Sequence, residues 1–284
     1  MRKYPIFVLI FVTSCFLFNT AHSDVSALEQ AKIYYNQGQY AQAAQFFYQS
    51  AQQGVAESQY MIGYLFHRGQ GVKQNSEKAL LWLNKSAEQN YLEAQYFLAL
   101  MYAMGLGVPV DRERALQWYR RAAESGHPAA QYFLGLAYKE GQGVAPDIAI
   151  AIKWFLSAAN LGNADAQVML GMLYMNNEGL DKNFAEATKW LQLAAAQNNT
   201  VALLALADLY SQGVNKDLVK AFEWTKKAAE LGDVKAQFQL GVLYETGDGV
   251  QADQLEAIKW YRSAAEKGDE AAVAKLKAIV GQTD

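Results

Sequence analysis

The chain predicts an all-α fold, a solenoid of antiparallel helix pairs, and three observations carry that prediction. The six tryptophans fall at positions 82, 118, 154, 190, 224 and 260, at intervals of 36, 36, 36, 34 and 36. Such regularity marks tandem repeats, units that bury their apolar faces by stacking on one another. The residues flanking each tryptophan keep the same step. Their apolar members recur at three and four, which is the helical period and not the strand period.

The second half of each unit reads as one helix, B. Seven residues before each tryptophan stands Asn75, Asp111, Asp147, Asn183, Asp217 or Asp253, side chains that accept a hydrogen bond from the free N–H groups of a helix start. Eight residues after it stands Asn90, Gly126, Gly162, Asn198, Gly232 or Gly268, types that tolerate the left-handed conformation closing a helix. Pairs of alanines such as Ala122 and Ala123, or Ala158 and Ala159, allow close helix approach beside the tryptophan. The tryptophans themselves are expected to be core.

The first half is a second helix, A, over about 56 to 68 in the first full unit and shifted by the period thereafter. Its core face carries residues such as Ala94, Leu98, Met101 and Tyr102. A Gly or Ala stands at 63, 99, 135, 171, 207 and 241, followed by Phe66, Tyr102, Tyr138, Tyr174, Tyr210 or Tyr244. Helix A ends at a paired-glycine loop, Gly69-Gln-Gly71 in the first unit, where positive φ costs little. The loop precedes a capped helix and lacks the lysine of a phosphate loop, so it is turn chemistry.

These residues resemble the Sel-one-like repeat, a relative of the tetratricopeptide repeat with the pattern A-x-x-x-L-G-x-x-Y-x-x-G-x-G-V, then D-x-x-x-A-x-x-W-Y-x-x-A-A-x-x-G. The resemblance covers six units, 55–90, 91–126, 127–162, 163–198, 199–232 and 233–268. The fifth loses two loop residues near Gly213 to Asp217, and the fourth carries Asn177 for its first loop glycine. Residues 24–54 read as a degenerate tetratricopeptide-like repeat with Phe46 in the tryptophan place. Residues 269–284 read as a capping helix with Ala272, Leu276 and Ile279 inward and Lys275 and Lys277 outward. The resemblance implies a right-handed superhelix whose A helices line the concave side.

The N-terminus is a separate object. Arg2 and Lys3 precede the apolar run Ile6 to Phe18, and Ala21-His-Ser23 supplies small residues at signal-peptidase spacing. Residues 1–23 are therefore read as a signal peptide, with a mature start at Asp24. The apolar run falls short of the roughly 20 residues a transmembrane helix needs, so no membrane insertion is expected after cleavage. In the competing reading, Val12-Thr-Ser-Cys15 is a lipobox and Cys15 a lipid anchor. Cys15 is the single cysteine, so a chain cleaved at 23 has no disulfide. Cleavage also leaves 23 basic against 28 acidic side chains, a net −5. That balance argues against nucleic acid or an anionic membrane as partner.

Function is sought where the repeat fails to repeat. On helix A one stripe reads Glu57, Met61, Tyr64, Arg68, then Glu93, Phe97, Leu100, Met104, then Ala129, Phe133, Leu136, Glu140, then Asp165, Met169, Met172, Asn176. It turns polar in the last two units, with Ala205, Asp208 and Gln212, then Gln239, Val242 and Thr246. Met61, Tyr64, Phe97, Leu100, Met104, Phe133, Leu136, Met169 and Met172 are the candidate partner-binding residues. Adaptable methionine and aromatic surfaces suit a protein or peptide. The alternative is that the stripe is packing between neighbouring A helices.

No catalytic set, cofactor motif or metal site emerges. His22 leaves with the signal, and His67 and His127 lack a second ligand at helical spacing. The reading is a non-enzymatic exported scaffold, periplasmic or secreted. The resemblance adds envelope processes or host-cell interaction as contexts. The alternative it offers is a peptidoglycan binder or β-lactam-hydrolysing enzyme, as in cysteine-rich relatives, whose recurring cysteine pairs this chain lacks.

Overall fold

The computed structural model describes residues 27–212 and 216–280. The signal segment, Cys15, the cleavage site and Gly213 of the shortened loop lie outside the described residues. Fifteen helices and no strand occur among the described residues.

The chain divides into two compact units, residues 1–146 and 147–284. In the first, α1 covers 27–36. It is followed by α2 (Tyr40–Gln52), α3 (Ala56–Arg68), α4 (Ser76–Glu88), α5 (Leu92–Met104), α6 (Arg112–Glu124) and α7 (Pro128–Glu140). The second holds α8 (Ile148–Asn160), α9 (Ala164–Asn176), α10 (Phe184–Ala196), α11 (Thr200–Gln212), α12 (Leu218–Glu230), α13 (Val234–Thr246), α14 (Gln254–Glu266) and α15 (Glu270–Val280). Odd-numbered helices from α3 onward are A helices and even-numbered ones B helices. Within each unit, helices adjacent in sequence pack on one another, and in the second α9 also touches α11.

The starts of the B helices and the left-handed stops have their predicted cause. Asn75 Oδ1 accepts the Lys78 N–H at 2.8 Å, and Asp111, Asp147, Asn183, Asp217 and Asp253 cap their helices in the same way. The cap residue also acts through its backbone. Its own N–H closes the loop onto the aromatic carbonyl of helix A, Asp111 to Tyr102 at 2.9 Å and Asp253 to Tyr244 at 2.9 Å. Asp217 makes that bond to Tyr210 at 2.8 Å, so the two-residue deletion of this unit leaves the closure intact. Asn177 takes the left-handed conformation of the glycine it replaces, at φ 60°.

The core departs from expectation in one respect. Trp82 and Trp190 are 7% exposed, but Trp118, Trp154, Trp224 and Trp260 are only partly buried. The innermost position is the next residue: Leu83, Phe155, Leu191 and Tyr261 are fully buried, and Tyr119 and Thr225 nearly so. In three repeats it points at the glycine of helix A. A Cβ on Gly63 would stand 2.8 Å from Leu83 Cγ, one on Gly171 2.6 Å from Leu191 Cγ, and one on Gly241 2.6 Å from the Tyr261 ring. The absent Cβ is the space into which the large side chain packs, burial that stabilises by roughly 1.5–3 kcal/mol per side chain. The tryptophans lie beside this line with a cation over each of five: Lys85, Arg121, Lys189, Lys227 and Lys259.

A buried polar ladder joins five of the A helices to the B helix before each. Gln59, Gln95, Gln131, Gln167 and Gln237 each donate Nε2 to a carbonyl eight residues back, from Ala51 to Ala229, at 3.0–3.2 Å. Gln89 and Gln197 in turn donate to the Oε1 atoms of Gln59 and Gln167. Where the residue thirty positions on is not glutamine, as for Gln95 and Gln237, the buried Oε1 has no partner. The fifth repeat replaces the glutamine by Leu203, fully buried.

At the C-terminal end, Ala272 is buried, and Leu276 and Ile279 pack beside it. Lys277 is exposed. Lys275 keeps 41% of its side chain exposed, and its Nζ pairs with Glu245 at 2.7 Å, which also accepts from Tyr261.

Candidate functional site

The variable stripe of the A helices lies at the edge of the core. Met61, Tyr64, Phe97, Leu100, Phe133, Leu136, Met169 and Met172 are all half-buried, and Met104 is 65% exposed. Met104 is open, and the other eight lie between an open groove and a closed core.

In the first unit the aromatic members tie successive A helices together. The Phe97 ring meets Tyr60, Tyr64 and His67 of α3 at 5.3–6.3 Å. Phe133 stacks on Tyr119 at 5.2 Å and meets Tyr96 of α5 at 6.2 Å. Edge-to-face and stacked pairs of this kind add about 0.5–1.5 kcal/mol beyond burial. Burial pushes the hydroxyls of Tyr60 and Tyr91 up to about 12 and raises that of Tyr119, so these rings are neutral near pH 7.

Four of the candidate residues converge on one cleft of about 420 Å³. Leu100 and Met104 of α5 form one wall and Phe133 and Leu136 of α7 the other, with Leu116 and Tyr119 of α6 between them. Alanines at 103, 115 and 137 leave the room. Arg112 and Glu140 stand at the rim, where Gln142 donates to Glu140 at 2.5 Å. A mostly apolar cleft with a few polar groups at the edge suits an apolar side chain presented by a peptide. Met172 belongs to a second, more polar cleft of about 630 Å³ in the other unit, with Leu204, Asp208 and Lys235. Met61, Tyr64 and Phe97 line neither of these two clefts, and Met169 lines neither.

His127 is part of the same aromatic cluster and was not anticipated as a cap. Its ring stacks on Tyr96 at 4.4 Å, and its Nδ1 accepts the Ala130 N–H at 3.2 Å, which requires the neutral imidazole. Burial holds its pKa below the ordinary 6.5, with the Glu93 carboxylate opposing. Burial and then Arg68 lower His67 as well. Folding therefore disfavours the charged form, the unfolded chain takes the proton more readily, and stability should fall as pH drops through the region below 6.5. Asn163 and Asn199 cap the equivalent helices, so His127→Asn should keep the cap and flatten the pH dependence due to this site. Melts of both proteins at about pH 7.5 and about pH 5 check it; the cap at stake is worth about 1 kcal/mol.

Among the described residues no cluster of three or more His, Cys, Asp or Glu could hold a metal ion. No helix among them is long and apolar enough to cross a membrane.

Comparison with known proteins places this architecture. The Sel1 repeat matches at residues 29–55, 56–91, 92–127, 128–163, 164–199, 200–233 and 234–269. The chain belongs to the Sel1 repeat family. Its structure is similar to that of a protective antigen of uropathogenic Escherichia coli displaying an SLR fold, at 33% identity and TM-score 0.78. That alignment covers 90% of this chain and 56% of the antigen, so this chain spans little more than half the antigen's length. It is also similar to a Sel1 repeat protein from Oxalobacter formigenes, at 33% identity and TM-score 0.77, over 84% of this chain and 99% of that one. No curated protein matches. The family accounts for the α-solenoid of helix pairs. The glutamine ladder of this chain recurs at the same step as the tryptophans, but only its spacing marks it in the sequence, because a glutamine inside a helix carries neither a cap signal nor an apolar one.

Proposed function

We propose that this Sel1 repeat protein is an exported, non-enzymatic scaffold that binds a protein or peptide on its helix-A side, in envelope processes or host-cell interaction. The scaffold fold is of a kind consistent with protein–protein interaction. The observation that carries the reading is the cleft between α5 and α7, where four variable stripe residues meet and Met104 is left 65% exposed. Met61, Tyr64 and Phe97 of the same unit are further candidates, and Met169 and Met172 are candidates in the second unit taken by itself. Export rests on the signal-like residues 1–23 and is tested by the N-terminus of protein recovered from periplasm or medium, expected at Asp24.

Met104→Glu is the direct test of the cleft. Its exposure predicts an unchanged melting temperature, because surface changes usually stay within about 0.5 kcal/mol. The buried-charge cost falls on the complex instead. Affinity capture from the cell envelope with wild-type and Met104→Glu baits should lose the bound protein with the variant. Identical capture by both would move the site off this cleft.

A further inference from the structure

The helix-B side of the first unit carries a cleft that the scaffold reading does not use. It measures about 540 Å³ and is lined by Tyr102, Arg114, Gln117, Trp118, Arg120 and Arg121, with Asn84 and Glu124 at its ends. Four of the seven arginines of the chain belong to α6, and three of those four face this cleft. Tyr102 and Trp118 are partly exposed between them. Arg114 lies over the Tyr102 ring at 5.6 Å and Arg121 over Trp118 at 5.0 Å.

All three guanidiniums are held, and among the described residues two of them carry no carboxylate. Arg114 pairs with Asp111 at 3.2 Å, and Arg120 donates to the Tyr138 hydroxyl at 3.3 Å. Among the described residues no carboxylate lies within 4.0 Å of Arg120 or Arg121. The matching helix α12 shows the contrast. It places lysines at the three equivalent positions, Lys220, Lys226 and Lys227, and pairs Lys226 with Glu230 at 3.9 Å. Stacking on a ring fixes a guanidinium plane and leaves its edge donors outward, the geometry that binds a carboxylate in two-point fashion.

We propose that this cleft binds a short acidic protein segment, its carboxylates on Arg120, Arg121 and Arg114 and its apolar groups against Trp118 and Tyr102. Charge complementarity sets the ligand's sign, and the partly exposed Trp118 and Tyr102 rings beside the arginines favour a peptide over a simple anion. A nucleic acid would need a basic track along several repeats. The adjoining helix α4 offers Lys78, Asn84 and Lys85 at the corresponding positions and α8 offers Ile150, Leu156 and Ser157, so the triple charge does not run on through the neighbouring repeats, and the whole chain is acidic, at −3.

The test is fluorescence anisotropy of the full-length mature chain with a short fluorescein-labelled peptide of alternating Glu and Tyr. Wild type should bind saturably, and the double substitution Arg120→Gln, Arg121→Gln should weaken binding at least about tenfold, or about 1.4 kcal/mol. Both side chains are exposed, so the melting temperature should hold. Lys226→Gln with Lys227→Gln, and Met104→Glu, should each bind as wild type does. Equal loss in the lysine variant would show diffuse charge attraction and overturn the proposal. So would loss on Met104→Glu, which would put the peptide on the helix-A side, absence of saturable binding by wild type, or displacement of the peptide by a lower concentration of single-stranded oligothymidine.

Discussion

Phe155→Ala is expected to destabilise the protein by about 3 to 5 kcal/mol, the range for large aromatic truncations in a packed core, and Trp154→Ala by clearly less. The ranking follows from burial. Phe155 has no exposed surface, whereas Trp154, though it marks the repeat, is only partly buried. Leu83, Leu191 and Tyr261 fill the space over Gly63, Gly171 and Gly241, where no side chain exists to relax into a cavity. Truncation there leaves the void open, and the cost of a void rises with its volume. Urea denaturation of the two single variants measures the difference. Equal losses would return the central packing role to the tryptophan.

That ranking also shows what a sequence can disclose here. Helix limits, caps and left-handed stops were legible because each rests on one residue type with one local requirement, as Asp111 must accept an N–H and Gly126 must adopt φ 94°. The packing order was not, because the innermost position varies among leucine, tyrosine, phenylalanine and threonine, while the partly exposed tryptophan beside it does not vary. Identity across repeats reports a shared shape, and burial depends on what faces it. The site was half legible for the same reason. Spacing put Leu100, Met104, Phe133 and Leu136 on one face, and the structure brings them around one cleft. Spacing could not say that Phe97 would be taken up by three rings of α3, since that depends on Tyr60, Tyr64 and His67 in the preceding repeat.

Gly249→Ala should cost about 3 kcal/mol or more, and Gly268→Ala about 1 kcal/mol, although both glycines have positive φ, 76° and 91°. The left-handed conformation alone penalises alanine by about 1–2 kcal/mol, partly offset by the stiffer unfolded chain. At Gly268 nothing lies within 4 Å of the added Cβ, so that small penalty is all. At Gly249 the Cβ would overlap the carbonyl group of Leu218 and come within 3.1 Å of Phe222 Cβ. Backbone cannot step aside as a side chain can, so overpacking adds its own 1–3 kcal/mol or so. The second glycine of the loop is therefore where one repeat rests on the start of the helix B before it, Gly249 on Leu218 and Gly71 on Tyr40. Gly71→Ala should match Gly249→Ala for that reason. Denaturation midpoints of the three alanine variants decide it: a loss at Gly268 equal to the other two would make the loops simple turns, with no part in stacking repeat upon repeat.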